Sequence, residues 1–262
     1  MKPKLTIVKI GGNVIDDPAS LSAFLEAFAG LEGSRILVHG GGKLATQLAE
    51  QMQVPQQMID GRRITDEATL KIVTMVYAGY INKNIVAQLQ AKGCAAMGLS
   101  GADGNLLLAH KRVNAMHNYG FAGDVDRVND DLVKHLLGAG LSLVIAPITH
   151  DKQGQLLNTN ADTIAQELAQ ALGADYTVQL IYCFEKNGVL KDVADENSCI
   201  ALIDRACFKS LLEAGIIYEG MLPKLHNAFA ALDKGVATVT IGKWDQLPEL
   251  VKGISGTAII NG

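Results

Sequence analysis

The sequence has no apolar run of eighteen residues, so nothing in it reads as a membrane-spanning helix. Met1-Lys2-Pro3-Lys4 leads at once into a short strand-like segment, without the long apolar core of a secretory leader. Charge of either sign is not in large excess: 23 Lys and Arg against 27 Asp and Glu leave a net charge of -4. No global field therefore draws the chain to nucleic acid or to a membrane, and any anion site must be built locally. The four cysteines, Cys94, Cys183, Cys199 and Cys207, form no C-x-x-C pair, which argues against a metal knuckle and fits a reducing compartment. Repeats, low-complexity tracts and long linkers are also missing. A soluble, cytoplasmic protein is expected.

What is present is 262 residues, 48% of them hydrophobic, enough for a sizeable core in one large domain or two closely joined lobes. Strand-like and helix-like segments alternate. Leu5 to Ile10, Ile36 to Val38, Ala95 to Leu99, Leu141 to Pro147, Tyr176 to Cys183, Val236 to Ile241 and Ala258 to Ile260 read as strands. Leu21 to Phe28, a stretch from Lys43, Asp66 to Gln90 (bent near Gly79), Asn160 to Leu172, Leu202 to Glu213 and Met221 to Lys234 read as helices. Val125 to Leu137 passes from strand into helix. The alternation predicts an α/β fold with a mostly parallel sheet covered on both faces. A weak boundary falls at Leu172-Gly173-Ala174-Asp175.

In open parallel sheets, ligands bind beyond the carboxyl ends of the strands. Two strand ends here are glycine-rich: Gly11-Gly12 and Gly40-Gly41-Gly42. Glycine lets the backbone approach an anion, and a following helix start offers free N–H groups. The Walker A pattern is absent, because Leu37 stands where its first glycine belongs and Leu44 follows Lys43. Gly40 to Ala45 does match the dinucleotide pattern G-x-G-x-x-A, with Asp60 downstream, so a dinucleotide-dependent oxidoreductase is one reading. Lys9, just before Gly11-Gly12, reads either as an edge lysine reaching solvent or as an ammonium aimed at an anion. Arg62-Arg63 is a solvated pair or the source of a guanidinium for a substrate carboxylate. Asn160 is a natural helix cap and Asp162 a first-turn acid, while Asn158 is free to read an amide. Pro223 suits a first turn, but Lys224 there opposes the helix dipole, and a bound phosphate would explain it.

These segments spell a resemblance. Lys9-Ile10-Gly11-Gly12, His39-Gly40-Gly41-Gly42, Gly61-x-Arg63-x-Thr65, Gly98-Leu99-Ser100-Gly101-x-Asp103-Gly104, Gly123-x-Val125, Asn158-x-Asn160-Ala161-Asp162 and Gly220-Met221-x-Pro223-Lys224 resemble the amino acid kinase family. The likeness runs from about residue 4 to 260 and is strongest to the branch that acts on N-acetylglutamate. It implies a three-layer α/β/α sandwich, with an N-terminal lobe (1–173) for the amino acid and dimerisation and a C-terminal lobe (174–262) for ATP with Mg²⁺. It implies transfer of the γ-phosphoryl group of ATP to the γ-carboxylate of N-acetyl-L-glutamate, in arginine biosynthesis. Lys9 and Lys224 would flank the phosphoryl group and Asp162 would position both. Gly11, Gly12 and Gly41 would donate amides to phosphoryl oxygens, and Gly41, Gly42, Arg63 and Asn158 would hold the substrate.

The sequence departs from the family pattern at Tyr182 to Leu190, where the loop that touches the nucleotide is longer. Arginine-regulated members carry an N-terminal helix before the first strand. Only about three residues precede it here, so a homodimer without arginine feedback is expected. The motifs do not fix the acyl group, which leaves an N-succinylglutamate kinase or another acyl-phosphate-forming amino acid kinase open. A non-catalytic amino-acid sensor would have lost a lysine or the aspartate, and all three are present. No dedicated metal-ligand set is read from the sequence.

Overall fold

The first strand shows how the sequence sets the layers. In β1 (Lys4–Ile10) successive side chains point to opposite faces of the sheet. Leu5 and Ile7 are buried in one apolar cluster, Val8 and Ile10 in another. Two clusters on opposite faces of one sheet make three layers. The computed structural model describes residues 2–59, 62–217 and 221–261. Asp60, Gly61 and Gly220, which entered the motifs above, lie outside the described residues.

The other strands are β2 (Ser34–His39), β3 (Met58–Ile59), β4 (Arg62–Arg63), β5 (Ala96–Leu99), β6 (Leu107–Lys111), β7 (Ala122–Val128), β8 (Ser142–Ile145), β9 (Ile148–His150), β10 (Leu156–Thr159), β11 (Thr177–Phe184), β12 (Leu202–Ile203), β13 (Thr238–Lys243) and β14 (Thr257–Ile259). The helices are α1 (Gly12–Asp16), α2 (Pro18–Ala29), α3 (Gly42–Gln51), α4 (Glu67–Thr74), α5 (Asn82–Ala91), α6 (Asp130–Gly138), α7 (Ala161–Leu172), α8 (Arg205–Glu213), α9 (Leu222–Asp233) and α10 (Leu247–Lys252). Eight strands form the main sheet in the order β12-β14-β13-β11-β1-β2-β8-β5. Only the β13–β14 pairing in it is antiparallel. The cluster with Leu5 and Ile7 is covered by α6, α7, α8 and α9, and the one with Val8 and Ile10 by α2, α3, α4, α5 and α10. Fully burying one such aliphatic side chain stabilises the fold by roughly 1.5–3 kcal/mol. The expected α/β class and its parallel sheet are therefore observed.

Local capping and bending are plain in the structure. Asn160 accepts from the backbone N–H of Asp162 and Thr163, capping α7, and Asp66 caps α4 through Thr69 N at 2.7 Å. The bend near Gly79 is a π-helical turn, Met75–Ile81, between α4 and α5. Three features differ. β6, β7, β9 and β10 close into a small separate barrel, whereas the sequence suggested one sheet. Its strands have only three to seven residues, too short for a clear periodicity. Gly123 lets this barrel close, since a Cβ there would lie 2.7 Å from Thr159 Oγ1 and 2.9 Å from Leu157 Cβ. The short helix α1 after Gly11 was not foreseen. Leu202-Ile203 is a strand rather than the start of a helix, because Asp204 caps α8 by accepting from Cys207 N at 2.7 Å.

Candidate active site

Lys9 lies on β1, which is a central strand between β11 and β2, so the edge-lysine reading fails. Its parity puts it on the face of Leu5 and Ile7, the face that α7 and α9 cover. Asp162 stands in the first turn of α7, and Lys224 in the first turn of α9. One sheet face thus converges with two helix starts. Lys9 Nζ lies 2.8 Å from Asp162 Oδ1 as a close ion pair, with side-chain exposures of 14% and 17%. Lys224 Nζ donates to Asp162 Oδ2 at 3.4 Å. Burial pushes the Asp162 carboxyl up, but the ammonium groups of Lys9 and Lys224 outweigh it and hold it down at about 2. The carboxylate stays ionised through the whole neutral range.

Tyr182, paired in register with Lys9 across β1 and β11, points its hydroxyl at the carbonyl oxygen of Asp162, 3.4 Å away. Burial, with Asp162 and Glu167 nearby, pushes its phenol well up, so it remains neutral. Cys183 is likewise held as a neutral thiol by burial.

The two glycine loops flank this group. Gly11 caps α1 with extended backbone angles and no side-chain cap. Gly41, ahead of α3, has φ +143°, a conformation that favours glycine. A Cβ on it would also meet Ile81 Cδ1 at 2.2 Å.

Arg63 is 8% exposed, and its guanidinium is engaged by the protein itself. Nη2 donates to Gly42 O and to Thr46 Oγ1, both at 2.9 Å, and Nη1 donates to Gln56 Oε1. It braces the start of α3 as well as lining the cleft. Asn158 Nδ2 donates to Thr65 Oγ1 at 3.0 Å, and that hydroxyl donates to Arg63 O at 3.0 Å. Arg62 also lines the cleft. It is half-buried near Arg112, Asp124 and Tyr119, and its guanidinium makes no hydrogen bond or ion pair among the described residues.

Two clefts meet here. The first, about 240 Å³, is lined by Lys9, Gly11, Gly12, Gly40 to Gly42, Arg62, Arg63, Tyr77, Asn158 and Asp162, among others. The second, about 280 Å³, is lined by Lys9, Gly11 to Val14, Asp162, Tyr182 to Glu185 and Lys224. Lys9, Gly11, Gly12 and Asp162 belong to both. All nine side chains and glycines singled out in the sequence therefore come together around one junction. Tyr77, Tyr182 and Arg62 were missed as site residues. Tyr77 reads as one more apolar position of a helix, Tyr182 as one more buried strand residue, and Arg62 was visible only as half of a doublet. No group of three or more His, Cys, Asp or Glu side chains among the described residues is arranged to hold a metal. No helix among them is long and apolar enough to cross a membrane.

The chain is 51% identical over 249 residues to an acetylglutamate kinase of Cytophaga hutchinsonii, covering 95% of this chain and 94% of that one. It is 54% identical over 238 residues to an acetylglutamate kinase of Parabacteroides distasonis, covering 91% and 93%. Its fold superposes on N-acetylglutamate synthase from Neisseria gonorrhoeae with a TM-score of 0.84 at 20% identity, over 99% of this chain and 60% of that one. Residues 4–243 match the amino acid kinase family as a whole, and the chain belongs to that family.

Proposed function

We infer that this chain is an acetylglutamate kinase, which moves the γ-phosphoryl group of ATP to the γ-carboxylate of N-acetyl-L-glutamate in arginine biosynthesis. The observation that carries the reading is the pair of clefts sharing Lys9, Gly11, Gly12 and Asp162. Near-full-length relatives at 51% and 54% identity bear the same name. A dinucleotide-dependent oxidoreductase does not account for that junction or those relatives.

The chemistry asks little of the protein beyond charge and position. A glutamate-type carboxyl has a pKa near ~4.3, so the acceptor is already an anion at neutral pH and needs no general base. What must be held together is the carboxylate, the γ-phosphoryl and the leaving ADP. In this reading the first cleft takes the acyl amino acid and the second takes ATP. Residues of 1–173 line the first cleft throughout, and the second adds Tyr182 to Glu185 and Lys224 from 174–262. Lys9 and Lys224 neutralise charge on the transferring oxygens, Asp162 keeps the two ammoniums apart but close, and the loop amides of Gly11, Gly12 and Gly41 add donors. Asn158 reads the acylated nitrogen region. Arg63 attracts the α-carboxylate with the donor capacity its protein contacts leave.

The carboxylates on the second cleft are Asp162 and Glu185, and both oxygens of Asp162 face lysines. That donor set fits Mg²⁺ carried in on the ATP phosphates, with Glu185 as the uncommitted carboxylate. When bound, the ion supplies further charge neutralisation on the phosphates. A homodimer is part of this reading. Light scattering at twice 27.8 kDa tests it.

A second reading concerns only the acyl group. The uncommitted Arg62 guanidinium favours an acyl chain ending in a carboxylate, as in N-succinylglutamate. A coupled ADP-release assay on glutamate, N-acetylglutamate, N-succinylglutamate and aspartate decides. N-acetylglutamate as best substrate supports the main reading. Succinyl preference abolished by Arg62→Ala supports the second, and free glutamate as best substrate refutes both.

A further inference from the structure

The glycine loop after β2 rests on a buried polar chain that phosphoryl transfer, as described above, does not use. His39, the last residue of β2, is fully buried. Its Nδ1 lies 2.8 Å from the carbonyl oxygen of Gly40. A carbonyl only accepts, so Nδ1 carries the proton. Nε2 of the neutral ring is then an acceptor, and Asn82 Nδ2 lies 3.2 Å from it. Asn82 is 1% exposed. It donates to Val144 O at 2.9 Å and accepts from Lys83 Nζ at 3.0 Å. Lys83 Nζ also donates to Gly98 O at 2.8 Å. The imidazole proton and both Asn82 amide protons each have one partner. A proton on His39 Nε2 would face the Asn82 amide protons, and turning the amide over would strip Val144 O of its donor and point N–H groups at an ammonium. Burial opposes the charged ring, and although the Gly40 carbonyl favours it, the Lys83 charge adds to the opposition and His39 titrates at about 4.

The consequence lies in one peptide unit. The Gly40 carbonyl and the Gly41 N–H belong to the same trans peptide and point in opposite directions. Gly40 N is tied as well, donating to Ile10 O at 3.2 Å. With the carbonyl fixed on the His39 side, the Gly41 N–H is turned the other way. Gly41 lines the first cleft, and its N–H has no hydrogen-bond partner among the described residues. The π-helical turn Met75–Ile81 backs the same loop: Ile81 packs against Gly41, and the next residue, Asn82, reaches His39.

We propose that His39 and Asn82 are positioning residues for phosphoryl transfer: Asn82 selects the Nδ1–H form of His39, which pins the Gly40 carbonyl and so aims the Gly41 amide at the transferring group. The same contact explains Gly98, where a Cβ would lie 2.0 Å from Asn82 Oδ1. The inference rests on the reading of Gly41 as a donor to phosphoryl oxygens.

The test compares two buried amides of different reach. In His39→Asn the side-chain N–H₂ overlies Nδ1 and keeps the bond to Gly40. In His39→Gln it overlies Nε2 and loses it. The expected result is a kcat within about threefold of wild type for His39→Asn and a loss of about tenfold or more for His39→Gln, since one missing donor to developing charge is costly. KM for ATP stays within about threefold in both, because only the transferring group senses the amide. Equal kcat in the two variants, or losses that follow thermal stability, overturn the proposal. ¹⁵N spectra of the wild-type imidazole between pH 6 and 8 give a readout that needs no variant. Protonated Nδ1 and bare Nε2 are expected, and the opposite tautomer overturns the assignment. Wild-type protein that releases no ADP with any N-acylglutamate sinks the kinase reading instead, and leaves the tautomer result to stand or fall separately.

Discussion

Asp162→Asn is the sharpest perturbation of the lysine clamp. The side chain keeps its shape and loses its charge. Two ammoniums, at 2.8 and 3.4 Å from the two carboxylate oxygens, then face a neutral amide. Across roughly 7 Å and an effective dielectric near 20, their unscreened repulsion is on the order of 2 kcal/mol, and each also loses its attraction to the acid. The lysines have room to swing apart, since Lys224 is 28% exposed, so alignment is lost as well as stability. A kcat reduced by about 100-fold or more is expected, with KM for ATP moved far less. Linkage gives an independent magnitude. The folded carboxyl sits at about 2 against its ordinary 3.8, so its contribution is present in full above pH 4 and is lost as pH falls through 2. That gap is worth roughly 2 kcal/mol. Denaturant unfolding at a series of pH values should show the acid limb in wild type and a flatter one in Asp162→Asn. Because the three groups act as a unit, adding Lys224→Met to Asp162→Asn should cost much less than Lys224→Met alone. A variant with kcat within threefold of wild type, or additive losses in the double variant, would refute the clamp.

Two further outcomes follow from the same geometry. Gly41→Ala meets the end of Ile81, which can move, and a φ of +143°, which cannot be relieved so easily. It should lose about 1–3 kcal/mol in thermal or denaturant unfolding and most of its activity, and Ile81→Val should not restore either. His39 titrates at about 4 in the folded chain against its ordinary 6.5, so its contribution is complete above pH 6.5 and disappears as pH falls towards 4. This amounts to roughly 3 kcal/mol, and it should be missing from the pH–stability curve of His39→Asn, in a window that does not overlap the one from Asp162.

The sequence was legible where a residue was locally out of character. A lysine within an apolar strand, another in a first helical turn and two glycine clusters after strands each broke a local rule, and all of them reach the junction of the clefts. The Asn160 cap was legible for the opposite reason, because it obeys a local rule. What could not be read was anything decided by long-range closure. The small barrel depends on pairings such as Leu108 with His150 and Asn158 with Ala122, which short strands do not advertise. The His39–Asn82 contact joins residues 43 apart, and each of them looks ordinary in its own segment. Arg63 was chosen over Arg62 by motif, and the structure shows why the motif undersells the pair. Arg63 is partly consumed in bracing α3, while the Arg62 guanidinium lines the cleft without a partner among the described residues.

The placement of Lys9 follows from strand order more than from its own sequence neighbours. A buried ammonium on a central strand costs several kcal/mol unless an acid meets it. Strand order supplies the acid. α7 and α9 pack on the face that Lys9 shares with Leu5 and Ile7, and both helices begin at the carboxyl end of β1. Asp162 and Lys224 therefore reach the same spot although 62 residues separate them. One carboxylate between two ammoniums leaves a net positive charge, and the loop amides of Gly11 and Gly12 beside it add donors without adding an acceptor. Two ammoniums on one carboxylate are under-compensated, and in the proposed reaction the phosphoryl group is the anion that completes them. In the proposed reaction, the arrangement that makes the site costly to fold is thus the same one that holds the transferring group.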